Sequence, residues 1–433
     1  MKQPRGGEAC PSRGVRAVGV CQRLESRVKY AIRAGRVQGF LCASAWWGWV
    51  YLGERVPGVV YCSMGKRIAG GGAGVVRGPA PVRGEGSGDG GALFARGHLL
   101  QLAGLLAKEL RAILGRARVF AGHDADGSDD PKAWRERLRG KVVANLFFED
   151  RTRTRVSFAV AAERLGAQVI NLTSVGSSIS KGETVADTAL NVAAMGVDGI
   201  VMRHKSSGAP HLVVRTLAER AHSYDDAGRV CSVINAGDGR HEHPTQGLLD
   251  IYTIAERFDR LDGFDLSGLT VGIVGDIASS RVARSGIVGL GALGAKVVCI
   301  GPPTLVPRSI EAMGCKTTHD LDGVIGKLDA VNVLRIQFER HEGAGGGEKM
   351  PGASNAVASV REYYEVYGLN SARLAKLRPG AIVMHPGPIN RGVEMSSEAA
   401  DSGQSMVLRQ VRHGVAVRMA VLEMCLNASA QGR

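Results

Sequence analysis

A cluster of arginine and threonine side chains lies at the start of a predicted helix. The stretch FFEDRTRTRVSF, residues Phe147–Phe158, runs from an apolar strand-like segment into a helical pattern. The free N–H groups of a helix N-terminus attract anions, and arginine adds a planar fork of donors that matches phosphate oxygens. The stretch therefore indicates a phosphate-binding site. The alternative is a solvated basic helix end whose arginines pair with Glu149 and Asp150.

Three further polar stretches carry residue types that can do chemistry. SSISKGETVADT (Ser177–Thr188) places a lysine after serines, although a flexible loop would look the same. MRH (Met202–His204) ends a predicted strand, where α/β proteins collect ligand-binding groups. NAGDGRHEHPTQGLLD (Asn235–Asp250) places His243 before a proline and Gln246 just inside a helix. A histidine there can donate a hydrogen bond to a substrate oxygen that gains negative charge during a reaction. A lone histidine, however, more often has a structural role.

Strands and helices alternate from Leu93 onward, and these elements must position the polar stretches. Short apolar runs predict strands, and they read KVVANLFF, QVINL, VDGIVMR, SVINAG, LTVGIVGD, AKVVCIG, DAVNVLR and AIVMHP. Helical spacing predicts helices over Leu99–Ala117, Thr154–Ala167 and Val407–Leu426, the second ending at Gly166. The alternation predicts an α/β fold with parallel sheets, and about 335 residues fit two domains better than one.

One glycine-rich run imitates a cofactor motif. GLGALG (Gly289–Gly294) matches the dinucleotide pattern GxGxxG, which should follow a strand and open a helix. Here the run closes a predicted helix and precedes the strand AKVVCI. We therefore expect these glycines to allow a helix end and a turn, and we expect no nicotinamide site.

The net positive charge is concentrated in the N-terminal segment. The 433 residues carry a net charge of +14 with a pI of about 9.6, which first suggests a nucleic-acid or membrane partner. Residues 1–92 hold 14 Lys and Arg against 5 Asp and Glu, so five of the net charges belong to the other 341 residues. We expect neither nucleic acid nor membrane as a partner. A nucleic-acid-binding protein driven by the basic arm stays an alternative, and it predicts binding that weakens steeply with salt.

Residues 1–92 differ in kind from the rest of the chain. They include AGGGAGVVRGPAPVRGEGSGDGG (Ala69–Gly91), a run that cannot bury a core and is predicted to be disordered. Three interpretations stay open: a basic arm for a partner, a tail without a function, or translated sequence upstream of the true start. The abundance of Gly, Ala, Arg and Pro, all with GC-rich codons, motivates the third.

Cysteine spacing and hydropathy favour a cytoplasmic protein. The eight cysteines form no CxxC pair, which favours free thiols in a reducing compartment; they lie at positions 10, 21, 42, 62, 231, 299, 315 and 425. The apolar run Gly39–Gly53 is shorter than the roughly 20 residues that a membrane helix needs. No transmembrane segment is predicted.

Seven stretches of the chain read FFE…TRTRVSF, SKGETVADT, VMRH, NAGDGRHEHPTQGLLD, VGDIASSRVARS, LRIQFER and MHPGPINRGVE. They occur in the order seen in carbamoyltransferases, and from Phe94 to Leu426 the chain resembles the aspartate branch of that family. The resemblance implies two doubly wound domains with parallel sheets, joined by a C-terminal helix that crosses back to the first domain. It implies a carbamoyl-phosphate-binding domain at 93–244 plus 403–430 and an aspartate-binding domain at 245–402.

Carried over residue by residue, the resemblance implies a set of site residues. Those that would hold carbamoyl phosphate are Arg153, Thr154, Arg203, His243, Gln246, Ser177, Pro386 and Gly387. Those that would hold aspartate are Lys181, Arg281, Arg335 and Gln337. Those that would act in catalysis are Arg153, Thr154, Arg203, His243 and Lys181. Glu149 and Arg340 would help to hold a closed state, and no metal ion or organic cofactor is implied.

The resemblance also implies a reaction. The enzyme would transfer the carbamoyl group of carbamoyl phosphate to the amine of L-aspartate, giving N-carbamoyl-L-aspartate and phosphate in pyrimidine (UMP) biosynthesis. The ornithine branch usually carries a cysteine in an HCLP stretch, where this chain has HPGP. Because Arg335 and Gln337 also suit a second carboxylate, aspartate is favoured over ornithine.

One position departs from the family pattern. The motif usually reads S-T-R-T-R, and Arg151 replaces its serine. Arg151 could supply a longer charged donor or could fill the phosphate pocket. The alternative function is therefore a catalytically weak or inactive carbamoyltransferase-like subunit. In the family the loop matching Ser177–Lys181 enters a neighbouring subunit's site, which implies a homotrimer with shared sites; a regulatory chain or a dihydroorotase is left open as a further partner.

Overall fold

Two parallel sheets organise the part of the chain that the structure describes. The computed structural model describes Phe94 and residues 97–122, 130–149, 152–173, 183–225, 230–336 and 359–431. Short 3-10 helices lie at Ala133–Glu136, Ala221–Ser223, Arg308–Met313 and Ile325–Lys327. The prediction of disorder for residues 1–92 lies outside the described residues.

The first sheet is built from parallel strands in the first half of the described chain. Its strands are β1 (Val142–Phe147), β2 (Gln168–Thr173), β3 (Gly199–His204) and β4 (Ser232–Asp238). The helices around it are α1 (Ala107–Ala121), α2 (Thr152–Arg164), α3 (Val185–Ala194) and α4 (Ala209–Glu219). The order across the sheet is β2-β1-β3-β4. Helices cover both faces, which explains why its strands read as apolar runs rather than as alternating patterns.

The second sheet follows a long connecting helix, α5 (Pro244–Arg257). Its strands are β5 (Thr270–Val274), β6 (Lys296–Ile300), β7 (Lys316–Thr318), β8 (Ala330–Val333) and β9 (Ile382–Met384). The remaining helices are α6 (Arg281–Ala292), α7 (Val360–Tyr367), α8 (Ser371–Lys376), α9 (Ser397–Ala400) and α10 (Val407–Gln431). All pairings are parallel, in the order β7-β6-β5-β8-β9. The predicted α/β class with two parallel sheets is confirmed; the exact domain boundaries stay a prediction.

The final helix returns to the first sheet, as expected. α10 packs against α1, α2 and α5. Its buried face is apolar and includes Val417, Val421 and Leu422. Leu426 lies so close to β3 that a Cβ added at Gly199 would be 2.9 Å from its Cδ1 atom. A glycine at this point of β3 therefore lets the helix pack tightly on the sheet.

The helix predicted over Leu99–Ala117 is wrong in its first half. α1 begins at Ala107, and Leu99 forms a parallel bridge with Ile234 beside β4. The N–H of Leu99 donates to Val233 O, and the N–H of Asn235 donates to Leu99 O. Between residues 99 and 106 every leucine except Leu106 is buried, although none of them belongs to a helix. Apolar spacing alone does not separate such a buried segment from one face of a helix.

The glycine run GLGALG closes a helix, as predicted. α6 ends at Ala292, and β6 begins at Lys296 after a turn in which Gly294 has a φ of +93°. The short edge strand β7 was not predicted, because its sequence KTT is brief and polar. In the described part of the chain, no helix combines the length and apolarity needed to cross a membrane.

Candidate active site

A cleft of about 410 Å³ opens where the two sheets face each other, and it gathers most of the predicted site residues. The predicted residues that line it are Arg153, Thr154, Arg203, His243, Gln246, Arg281, Arg335, Pro386 and Gly387. Arg203 lies at the end of β3, His243 after β4, Arg335 after β8 and Pro386 after β9. The carboxyl ends of parallel strands are where α/β folds place ligand groups, and two such edges meet here.

Glu149 connects the two halves of the cleft without lining it. Its Oε2 atom accepts hydrogen bonds from Arg203 Nε at 2.9 Å and from Arg281 Nη2 at 2.7 Å. Burial raises the pKa of Glu149, but the charges of Arg281 and Arg203 outweigh burial and hold this pKa below its ordinary value. The carboxylate is therefore ionised and fixes two guanidinium groups at the cleft wall.

Arg153 reaches across to the loop after β9. Its Nη1 atom donates to Pro386 O at 3.3 Å. Gly387 has a φ of +67°, and a Cβ added to it would lie 1.7 Å from Arg153 Nη1. Glycine is therefore required here both for the backbone conformation and for the space that the guanidinium occupies.

His243 occupies the N-cap position of α5 and lines the cleft. Its backbone N–H donates to Ser285 Oγ at 2.9 Å, and Pro244 follows at the first helical position, where its missing N–H costs nothing. Burial, followed by the charges of Arg203, Arg418 and Arg281, holds the pKa of His243 well below its usual value. The imidazole is therefore neutral, and its buried Nδ1 atom has no hydrogen-bond partner among the described residues.

Gln246 lies in the first turn of α5 and donates a hydrogen bond to a buried carboxylate. Its Nε2 atom donates to Asp250 Oδ1 at 2.9 Å. The same carboxylate accepts hydrogen bonds from Gln410 Nε2 at 2.8 Å and from Asn332 Nδ2 at 3.1 Å. Burial raises the pKa of Asp250 to about 7, against the effect of these hydrogen bonds.

The loop after β9 is held by a histidine of fixed tautomer. His385 Nδ1 accepts the N–H of Gly387 at 2.8 Å, so the proton of a neutral ring lies on Nε2, 3.2 Å from Glu394 Oε1. The backbone N–H of His385 donates to Gln410 Oε1 at 2.9 Å. These contacts of His385 hold in place the segment Pro386–Pro388, which lines the cleft.

Several cleft residues were missed at the level of sequence. They include Thr152, Ser157, Asp276, Ser279, Ser280, His385, Gln410 and Arg418. Thr152 and Ser157 lie within the arginine-rich stretch, whose motif could have included them. Arg418 is a buried cation on α10 whose Nη1 atom donates to Ser157 Oγ at 2.9 Å. No local pattern around Arg418 or Gln410 indicates a site, because both belong to an ordinary amphipathic helix.

Five positions that matter to the sequence-based hypotheses lie outside the described residues. They are Arg151, Ser177, Lys181, Gln337 and Arg340. Their roles stay predictions. Among the described residues, no group of three or more His, Cys, Asp or Glu is arranged to hold a metal ion.

Comparison with known proteins agrees with this architecture. Residues 97–256 match the family model described as aspartate/ornithine carbamoyltransferase, carbamoyl-P binding domain. Residues 267–425 match the model of the Asp/Orn binding domain of the same family. The chain is 51% identical over 328 residues to the aspartate carbamoyltransferase catalytic subunit of Myxococcus xanthus, and the match covers 76% of this chain and 99% of that relative.

Solved structures extend the agreement to the fold. An aspartate transcarbamoylase from Trypanosoma cruzi in complex with carbamoyl phosphate is similar at a TM-score of 0.61 and 29% identity, over 76% of this chain and 96% of that one. An ornithine carbamoyltransferase from Thermus thermophilus is similar at a TM-score of 0.60 and 26% identity, over 76% and 99% of the two chains. The fold is thus common to both branches. With two family models in sequence and a relative at 51% identity, the chain belongs to the aspartate/ornithine carbamoyltransferase family.

Proposed function

We propose that this protein is an aspartate carbamoyltransferase, which transfers the carbamoyl group of carbamoyl phosphate to the amine of L-aspartate. The products are N-carbamoyl-L-aspartate and phosphate, and the reaction is a step of pyrimidine biosynthesis. The observation that carries the proposal is the convergence of Arg153, Arg203, Arg281 and Arg335 on one cleft together with neutral His243. Two anionic substrates in one pocket require several cations, and this cleft supplies them.

The chemistry follows from the charges that develop. The neutral amine of aspartate attacks the carbonyl carbon, and the carbonyl oxygen gains negative charge as the carbon becomes tetrahedral. Thr154, Arg203 and His243 all line the cleft, and in this proposal they donate to that oxygen. A preorganised donor of this kind contributes about 3 kcal/mol to transition-state stabilisation in analogous sites. The leaving phosphate accepts the amine proton, so the reaction does not require a protein base. Arg153 holds the phosphate, and orientation of the two substrates supplies much of the remaining rate.

Aspartate is favoured as the acceptor by the cations of the second sheet. Arg281 and Arg335 line the cleft and can each pair with a carboxylate. Ornithine would instead need an acidic partner for its second amine. Gln337 and Lys181 are proposed to complete the aspartate site. The relatives at about half identity are named for aspartate, which supports the same choice.

The assembly is proposed on the same basis. The Ser177–Lys181 loop would enter a neighbouring subunit's site, which requires a closed ring, and a homotrimer satisfies it. Glu149 and Arg340 would support closure of the two domains over the substrates. We further propose a cytoplasmic location, from the predicted free thiols; Cys231, Cys299, Cys315 and Cys425 are free in the structure.

The test is formation of carbamoyl aspartate by purified protein that begins near Leu93, with ornithine as the control acceptor. Product from aspartate alone is the expected result. Product from ornithine would overturn the choice of acceptor, and a folded trimer without either product would favour the second candidate function.

That second candidate is a weak or inactive carbamoyltransferase-like subunit, and Arg151 is the observation that favours it. The change Arg151→Ser restores the usual motif and separates the two functions. A large gain in turnover would identify Arg151 as the damaging substitution. Unchanged turnover in an active enzyme would show that Arg151 is tolerated as a hydrogen-bond donor to the phosphate.

A further inference from the structure

A single buried carboxylate organises amide side chains from three different elements behind the cleft. Asp250 on α5 is 2% exposed. It accepts hydrogen bonds from Gln246 on the same helix, from Gln410 on α10 and from Asn332 on β8. Two of these donors, Gln246 and Gln410, line the cleft. Asp250 itself does not line the cleft, and the mechanism above gives it no part.

The chemistry of the carboxylate determines which way each amide points. An ionised carboxylate has acceptor sites only, so a neighbouring carboxamide must turn its nitrogen toward it and its oxygen away. Gln410 agrees with this rule, because its Oε1 atom accepts the N–H of His385 at 2.9 Å while its nitrogen donates to Asp250. The amide orientation of Gln246 follows in the same way. Its Oε1 atom turns away from Asp250, in a side chain that lines the cleft.

We propose that Asp250 is a positioning residue that fixes the amide oxygen of Gln246 toward the cleft, so that the site selects an acyl phosphate whose acyl group carries an N–H donor. This inference rests on the proposed function and adds a determinant of donor specificity. Carbamoyl phosphate offers its amino group to the Gln246 oxygen. Acetyl phosphate places a methyl group there and leaves the oxygen buried and unpaired.

The size of the effect follows from the cost of an unpaired acceptor. A buried polar group without a partner costs more than the hydrogen bond alone would contribute. A site that hydrogen-bonds an N–H of its substrate therefore rejects an analogue without it far more strongly than a hydrophobic pocket rejects a methylene. If Asp250 were neutral and amide-like, Gln246 could rotate its amide and lose this preference. Assays at pH 8.5 keep Asp250 ionised.

The experiment compares carbamoyl phosphate with acetyl phosphate as donors, with carbamoyl aspartate and acetyl aspartate measured as products. The donor ratio is kcat/KM for carbamoyl phosphate divided by kcat/KM for acetyl phosphate. Asp250→Asn is expected to lower this donor ratio at least about tenfold. Gln246→Leu should lower it similarly, and the double variant should show no further loss, because both changes act through one amide. An unchanged ratio in folded Asp250→Asn, or an additive loss in the double variant, would overturn the proposal.

The control is Thr253→Val, one turn further along α5. Thr253 is also buried and polar, and its Oγ1 atom donates to Leu249 O at 2.7 Å, but it does not line the cleft. This variant is expected to lose stability and to keep the donor ratio. A fall in the ratio equal to that of Asp250→Asn would mean that general loosening of α5 explains the effect.

A second measurement does not depend on turnover or on the folding of Asp250→Asn. Gln246→Glu places an acceptor-only group against the Asp250 carboxylate at pH 8.5, whereas Gln246→Met removes the donor without adding charge. The Tm of Gln246→Glu should be clearly below that of Gln246→Met. An equal or higher Tm would overturn the role of Asp250. Absence of product from the unmodified protein would instead refute the proposed function, while this comparison would still report on the contact.

Discussion

Arg281 Nη2 lies 2.7 Å from Glu149 Oε2, and this contact joins the start of α6 to the segment that follows β1. The partners come from elements of different sheets. The same oxygen also accepts from Arg203, so one carboxylate holds cations from both walls of the cleft. The position of Arg281, which we propose as an aspartate-binding residue, therefore depends on a residue of the carbamoyl-P binding domain.

Glu149→Gln is expected to destabilise the protein by about 2 kcal/mol at pH 7, because it removes the negative charge that contacts two largely buried guanidinium groups. The pKa of Glu149 is held below its ordinary value, so its stabilising effect is present above the unfolded-state pKa of about 4.3 and is lost as pH falls through the lower folded-state value. Urea unfolding at several pH values should show the variant and the unmodified protein converging below about pH 4.

The matched control for Glu149 is Asp401→Asn. Asp401 also pairs with an arginine, Arg391, but both side chains are largely exposed. Solvent screens such a pair, so little change in stability is expected. A loss equal to that of Glu149→Gln would contradict the special role of the buried contact.

His243→Ala should lower kcat about 100-fold, because it removes a donor to the developing oxyanion. Since the pKa of His243 is held well below its usual value, its ring is neutral throughout the assay range, and the shape of the kcat profile between about pH 6 and 8 should not change. Unfolded His243 takes up a proton below about pH 6.5, so its burial lowers stability as pH falls below that value.

His319→Gln is the comparison for His243. His319 follows β7, and its Nδ1 atom lies 2.8 Å from Gly301 O, away from the residues that line the cleft. Its turnover should stay close to that of the unmodified protein. A pH profile that shifts only in His243→Ala would show that the ring titrates during catalysis and would contradict a neutral donor.

Gly387→Ala is expected to raise the KM for carbamoyl phosphate about tenfold or more, because the new Cβ would displace the Arg153 guanidinium. Gly392→Ala separates this effect from backbone strain. Gly392 has a φ of +80°, similar to the +67° of Gly387, but a Cβ there would meet nothing within 4 Å. Both variants should lose about 1 kcal/mol of stability. Equal KM values in the two would argue against a steric role at Gly387.

Arg335→Met should raise the KM for aspartate about tenfold to hundredfold, as expected for the loss of a charge-assisted hydrogen bond. Binding of inorganic phosphate, measured by calorimetry, should change little, because Arg335 belongs to the opposite wall from Arg153. A variant that lost phosphate binding to the same extent would place Arg335 in the phosphate site instead.

The elements that carry strong local patterns were predictable from sequence. The apolar run before Glu149 forms β1, and Gly166 ends the next helix with a φ of +85°. The cleft residues at strand ends were predictable for the same reason, since polar motifs directly follow apolar strands. Arg203 and His243 are clear cases.

Other contacts depend on parts of the chain that only the fold brings together. Asp250 and Gln410 are 160 positions apart and form a hydrogen bond of 2.8 Å. No periodicity relates them. Leu99 shows a different difficulty. The spacing of the apolar residues around it is typical of a helix, whereas its backbone pairs with β4. Burial produces the same residue types in both cases, so hydrogen-bond partners rather than composition decide the conformation.

The return of α10 to the first sheet has a consequence for synthesis of the chain on the ribosome. Residues of α10 such as Val417 and Leu422 share one hydrophobic core with Val143 and Phe158. The first half of the protein therefore emerges long before the segment that covers it, and it must wait with this apolar surface exposed while the second sheet is translated. Chaperones that shield nascent apolar surface would act during this interval, which ends when α10 emerges and packs against the first sheet.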